Sequence, residues 1–226
     1  MKLPPILGQT NISGNSFFFG ADSIYFEQFG KSLAKSLRKY AEWANVHIHL
    51  FNPTDAQLAW CQKNQFTASY EFVSEDCKDL RTYYACVRFI RIPEIFKSDA
   101  RIISIDCDGV AIKLISKDKF LKDTEKSAVL WRSKNQTSLA SSVFFGVDDF
   151  RVKLSKRLIP YFENDSFKWF LDQIIMDEMI REKEVSIVEF RDWGNPKIGV
   201  NTLIWTVKGD RKNDPEFQKL ITLYRD

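Results

Sequence analysis

The feature that most constrains this chain is an alternation in its first half, where short apolar runs are separated by longer segments of helical period. Phe17-Phe18-Phe19 ends at Gly20 and reads as a short buried strand. Phe26, Phe29, Leu33, Leu37 and Tyr40 then recur at three- and four-residue steps, which predicts a helix over 25–43 with Asp22 or Ser23 as its cap. Residues 46–51 alternate apolar and polar, as a strand does, until Asn52-Pro53 stops them. A short helix over 56–63, a strand over 66–73 and a longer helix over 80–96, strained near its end by Pro93, complete the series. The last apolar run, Arg101-Ile102-Ile103-Ser104-Ile105, ends in Asp106. Such alternation implies a mostly parallel sheet with helices on both faces.

Beyond Asp108 the pattern becomes mixed. Strands are expected over 128–131 and 142–146, helices over 149–161 and 167–181, strands over 185–190 and 202–206, and a terminal helix over 215–224. No Gly/Ser-rich linker separates the halves, so the expectation is a single α/β domain over 1–226.

The composition excludes several function classes. A net charge of +3 without a dominant basic stripe argues against a nucleic-acid partner. Cys61, Cys77, Cys86 and Cys107 show no Cys-x-x-Cys pairing, so reduced thiols are expected rather than a zinc site. Residues 1–14 lack the apolar run of a signal peptide, and no stretch reaches the roughly 20 apolar residues of a membrane span. The sequons at Asn11, Asn135 and Asn164 carry little weight without a secretion signal, and a cytoplasmic location is expected.

The chemistry concentrates at Asp106-Cys107-Asp108. Ligands of parallel α/β sheets bind beyond the carboxyl ends of the strands. Two carboxylates two residues apart on an extended turn can both reach one hard cation, and that cation can bridge a diphosphate. Asp-x-Asp alone recurs by chance in chains of this length, so its weight comes from its place at a buried strand end.

The order of the motifs resembles the GT-A type glycosyltransferases, especially the glycogenin-like and lipopolysaccharide-galactosyltransferase-like enzymes. Phe19-Gly20-Ala21-Asp22-Ser23 is similar to their nucleotide-contacting loop, and Tyr84-Ala85-Cys86-Val87-Arg88-Phe89 to a helix pattern that precedes the acidic motif. Trp169-Phe170-Leu171-Asp172-Gln173 is similar to a downstream helix motif, and Ile204-Trp205-Thr206-Val207-Lys208-Gly209 to a closing segment that reaches the diphosphate. The resemblance covers about 17–212 and implies a GT-A-like fold, with a nucleotide-binding half over 17–112 and an acceptor-side half over 113–226. It implies a hexosyltransferase that takes its sugar from a nucleoside diphosphate donor, most simply a UDP-sugar, and passes it to a glycan, lipid or protein acceptor. Mn2+ or Mg2+ would sit on Asp106 and Asp108. Gly20, Ala21, Asp22, Arg88, Lys208, Gly209, Arg211 and Lys212 would bind the donor, and Asp172 and Gln173 would serve the transferring sugar.

The chain departs from the family in two places. Thr206 stands near the position of a histidine that commonly completes the metal site, and Ala140-Ser141-Ser142-Val143 replaces an Asn-Ala-Gly. His47 and His49 read as ordinary strand residues facing one side. Two alternatives stay open. A non-catalytic module with the same fold would keep nucleotide binding without transfer. A nucleotidyltransferase would share the metal-bound carboxylates, but its basic, Gly-rich first loop is replaced here by Gly20-Ala21-Asp22.

Overall fold

A computed structural model describes residues 2–132, 137–188, 192–195 and 197–225. The elements in chain order are β1 (Leu7–Gly8), β2 (Asn15–Asp22), α1 (Ser23–Tyr25), a π-helical turn (Phe26–Gly30), α2 (Lys31–Tyr40), β3 (Asn45–Phe51), α3 (Asp55–Lys63), β4 (Thr67–Glu71), α4 (Leu80–Ile95) and β5 (Arg101–Ile105). There follow β6 (Gly109–Ala111), α5 (Lys117–Asp123), β7 (Ala128–Arg132), β8 (Thr137–Phe145), α6 (Phe150–Glu163), α7 (Leu171–Arg181), β9 (Ser186–Val188), β10 (Ile204–Thr206), a 3-10 turn (Gly209–Asn213) and α8 (Pro215–Arg225).

One eight-stranded sheet runs in the order β1-β4-β3-β2-β5-β8-β7-β9. The four strands β4, β3, β2 and β5 are parallel neighbours, whereas β8 returns antiparallel to both β5 and β7. This is the mixed, mostly parallel sheet flanked by helices that the alternation predicts. Phe17 and Phe19 face one side with Leu33, Leu37 and Ile103, while Phe18 faces the other with α4, α6 and α7. That split is the period of a strand buried on both faces.

Several boundaries differ from the sequence reading. The helix expected over 25–43 is three pieces, because the π turn interrupts it and Ala41 leaves helical geometry at φ −145°. The helix expected from 167 starts at Leu171, after Phe170 in the left-handed region at φ +67°. Trp169 and Phe170 therefore precede α7 rather than belonging to it. The strand expected over 142–146 extends back to Thr137, and that over 202–206 narrows to Ile204–Thr206. β6 and α5 were not anticipated, being too short for a periodic signal. Asn135 and the last two residues of the strand expected over 185–190 lie outside the described residues.

A buried polar network locks β3 and β4 to α4. His47 Nε2 and His49 Nδ1 both meet Ser69 Oγ, at 2.9 and 2.8 Å. Glu71 accepts from Tyr83 Oη at 2.6 Å and from Arg91 Nε at 2.7 Å. Burial and the neighbouring His49 push the His47 imidazole down to about 3, so it is neutral at physiological pH. Burial opposes ionisation of Glu71, but His49 and Arg91 hold its carboxyl below the usual range. No helix among the described residues is long and apolar enough to cross a membrane.

Arg91→Met leaves the Glu71 carboxylate buried without its cation. Breaking such a pair costs about 3–5 kcal/mol, so the urea midpoint should fall by that equivalent with an unchanged denaturant slope.

Candidate functional site

The site lies where the carboxyl ends of β2 and β5 meet the start of the segment after β10. β2 and β5 are adjacent and parallel, with Phe18 opposite Ser104, so the Gly20-Ala21-Asp22 loop and the Asp106 motif open on the same edge. A cleft of about 840 Å³ forms there, a usual size for a small-molecule site. Gly20, Ala21, Asp22, Arg88, Asp106 and Asp108 line it, joined from the second half of the chain by Lys208, Gly209 and Lys212.

Gly20 determines how α4 reaches the cleft. A Cβ at this position would stand 3.0 Å from Arg88 Cβ and 3.1 Å from the Phe51 ring, so a larger residue would push α4 off β2. The close approach leaves Arg88 buried rather than on a solvated helix face. Its Nη2 donates to Asp106 Oδ1 at 2.6 Å and to the Ala140 carbonyl at 3.1 Å, and its Nη1 reaches the Ile105 carbonyl at 3.3 Å. One side chain thus ties α4, β5 and β8 together at the motif.

Asp106 and Asp108 both line the cleft where the chain bends after β5. Cys107, between them, packs into the core and also touches the cleft wall. The basic side arrives by way of a second, two-stranded sheet. β10 pairs antiparallel with β6, Thr206 opposite Gly109, and Val207 N donates to the Asp108 carbonyl at 3.2 Å. The chain then turns through Gly209 at φ +59°, a conformation that favours glycine. Lys208 Nζ comes to 3.5 Å from Asp106 Oδ2, and Lys212 Nζ to 2.9 Å from Asp108 Oδ2.

The two carboxylates titrate in opposite directions. Burial disfavours the charge on Asp106, but Arg88 and Lys208 outweigh it and hold the carboxyl below its usual range. Burial and the adjacent Asp106 push Asp108 up, against the pull of Lys212. Asp108 Oδ1 is buried with no hydrogen-bond partner. An acceptor-only oxygen of that kind fits a hard cation, as does a donor set of two carboxylates. Among the described residues no group of three or more His, Cys, Asp or Glu side chains is arranged to hold a metal. A cation here would rely on Asp106, Asp108 and oxygens from outside the chain.

The remaining sequence candidates are placed differently. Asp22 lines the cleft while its Oδ1 accepts from Tyr25 N at 2.7 Å, so it caps α1 as well. Arg211 is exposed on the 3-10 turn and does not line the cleft. Asp172 and Gln173 sit in the first turn of α7, also off the cleft wall. Asp172 is buried behind Arg88, which feels the charges of both Asp106 and Asp172. Asp172 thus interacts with the Arg88 charge from a buried position and is not among the residues lining the cleft. Tyr84, which opens the helix motif, and Tyr25, which no motif includes, also line the cleft. Tyr84 stacks on Phe51 at 4.9 Å, and Tyr25 receives a hydrogen bond from Lys212 at 2.9 Å. Aromatic residues in a chain so rich in them give no sequence signal of their own.

No protein-family model and no curated protein sequence matches the chain. Solved structures do match in fold. A structure of the apo-form glycosyltransferase GlyE of Streptococcus pneumoniae TIGR4 superposes with a TM-score of 0.64 at 14% identity, over 95% of this chain and 60% of that one. The bifunctional glycosyltransferase WbbM, in an apo structure, gives 0.61 at 15% identity, over 95% of this chain and 50% of its own. The galactosyltransferase LgtC, in complex with donor and acceptor sugar analogues, gives 0.61 at 11% identity, over 92% and 96%. The chain thus spans half to three fifths of the length of WbbM and GlyE and nearly all of LgtC. It has the GT-A-like fold of these glycosyltransferases.

Burial raises the Asp172 carboxyl to about 6, against the opposing charge of Arg88. The displacement corresponds to on the order of 3 kcal/mol against the ionised form. Between pH 3.8 and about 6 the unfolded chain releases this proton while the native state keeps it, so stability falls as pH rises. Asp172→Asn removes that loss. Its stability advantage over the wild type should grow from pH 4 to pH 6 and level off above, reaching about 1–3 kcal/mol in urea unfolding.

Proposed function

We propose that the chain is a metal-assisted glycosyltransferase that moves a hexose from a nucleoside diphosphate sugar, a UDP-sugar by the motif resemblance, to a glycan, lipid or protein acceptor. The observation that carries this reading is the meeting of Asp106 and Asp108 with Lys208 and Lys212 in one cleft at the end of β5. Carboxylates facing mobile cations across such a gap suit a ligand that is itself a polyanion with a bound cation.

In this reading Asp106 and Asp108 would hold Mn2+ or Mg2+, and the ion would supply positive charge toward a leaving diphosphate. Arg88 keeps Asp106 ionised and fixes its direction, so the ligand set is arranged before the donor arrives. Lys208 and Lys212 flank the turn at Gly209 and would place point charges beside the phosphates. Asp22, Ala21 and Gly20 close the end of the cleft nearest β2, where the base and ribose of a nucleotide would lie. Enclosure by these walls orients donor and acceptor and limits water at the reacting carbon.

A second reading is favoured by the missing third ligand among the described residues. The same cleft would then bind a nucleotide as a non-catalytic module. The two readings part on one experiment. Thermal unfolding with a panel of nucleoside diphosphates, with and without Mn2+, should show a metal-dependent shift with one of them. A ligand at 100 times its Kd adds about 2.7 kcal/mol of stability. Transfer from the matching donor sugar should then be lost in Asp106→Asn/Asp108→Asn with folding retained. Undiminished transfer in that double variant would refute the metal assignment, and nucleotide binding without transfer or donor hydrolysis would favour the module.

A further inference from the structure

The lysines of the cleft are folded back onto the motif itself. Lys212 Nζ lies 2.9 Å from Asp108 Oδ2, donates to the Tyr25 hydroxyl at 2.9 Å and sits 4.4 Å from the centroid of the Tyr25 ring. An ammonium held by a carboxylate, a phenol and an aromatic face is a built position rather than a passing surface contact. Asp106 is occupied on both oxygens, by Arg88 on one side and Lys208 on the other. The two motif carboxylates therefore have three cations as their immediate partners. A divalent cation entering this arrangement finds Asp108 Oδ1 without a partner, but to hold both oxygens of that carboxylate it must displace Lys212 from Oδ2, and it approaches two other positive groups as it does so. A diphosphate reverses the balance, because it brings at least two negative charges and acceptor oxygens that a lysine on its four-carbon stem can follow.

We propose that Lys212 is a built-in counter-ion of Asp108, holding its Oδ2 in the free protein and moving to the diphosphate when the donor binds. Cation and diphosphate then enter together rather than in succession. The inference rests on the donor reading above and adds to it an order of assembly and the residue that enforces it. Tyr25 is the positioning residue of this device, since its hydroxyl and ring hold the ammonium over Asp108. Lys208 contributes less, with a longer contact to Asp106 and a half-exposed side chain. By linkage, the factor by which a diphosphate tightens the cation equals that by which the cation tightens the diphosphate.

The test reads cation binding directly, as free Mn2+ by electron paramagnetic resonance, without turnover. Wild-type protein should bind Mn2+ weakly alone and more tightly once UDP is added. Lys212→Gln should bind Mn2+ about tenfold tighter than wild type without UDP, within the ordinary range of coupling between sites, and should gain less from UDP. Lys212→Arg keeps the charge and should behave as wild type. Tyr25→Phe should move in the direction of Lys212→Gln by a smaller factor. Should Lys212→Gln bind Mn2+ no tighter than wild type while UDP still promotes binding in both, the counter-ion role is overturned and the donor reading stands. Absence of Mn2+ binding in both proteins, with or without UDP, overturns the two together.

Discussion

Arg88 meets Asp106 at a point where α4 crosses β2 with no room for a Cβ at Gly20, and much of the site follows from that crossing. An arginine buried among helix, strand and a returning antiparallel strand needs a full set of acceptors, because a desolvated guanidinium without them is unaffordable to the fold. Ala85, Ile105 and Ala140 carbonyls and the Asp106 carboxylate provide them. The bonds to Ile105 and Ala140 fix β8 against β5 beside the motif. The bond to Asp106 fixes the first carboxylate of the site. A single close approach in the backbone therefore sets both the sheet and the chemistry at its edge.

Charge around this pair is layered. Asp172 lies behind Arg88, buried and driven toward its neutral form, while Asp106 lies in front and stays ionised. One guanidinium between two carboxylates stabilises the one it touches directly more than the one whose burial dominates. Asp108, further along, has no arginine and is raised by burial and by Asp106. The same residue type thus takes three electrostatic characters within one small region, each set by burial and the nearest cation.

The alternation of the first half was enough to give the sheet, the helices on both faces and the strand end that carries the motif. Gly20, Ala21, Asp22, Arg88, Asp106, Asp108, Lys208, Gly209 and Lys212 all reach the cleft, although they come from four separate segments. Short or interrupted elements are less legible. The motif resemblance assigns Asp172 and Gln173 to the transferring sugar because an Asp-Gln pair follows Trp169. The left-handed residue Phe170 starts the helix later, and the first turn of α7 buries Asp172. Arg211 falls among lysines in the sequence, yet Lys208, just before the 3-10 turn, and Lys212, within it, line the cleft while Arg211 is exposed. The histidines posed the reverse problem. Their spacing shows a shared face, but the serine that bonds both and the glutamate beside His49 lie on β4, where no local pattern can reveal them.

The site draws on two parts of the fold. Arg88 stands on α4 and Asp106 directly after β5, whose positions the sheet and the core determine. Lys208 and Lys212 stand on a turn that follows the short ribbon of β6 and β10, attached to the motif through Val207 and the Asp108 carbonyl. For the proposed cation, groups fixed by the core suit best, since misplacement weakens every contact they make. In the proposed exchange of a carboxylate for a phosphate, a lysine stem can cover both positions. The ribbon keeps those lysines close to the acidic pair while leaving their final contacts to be chosen by the ligand.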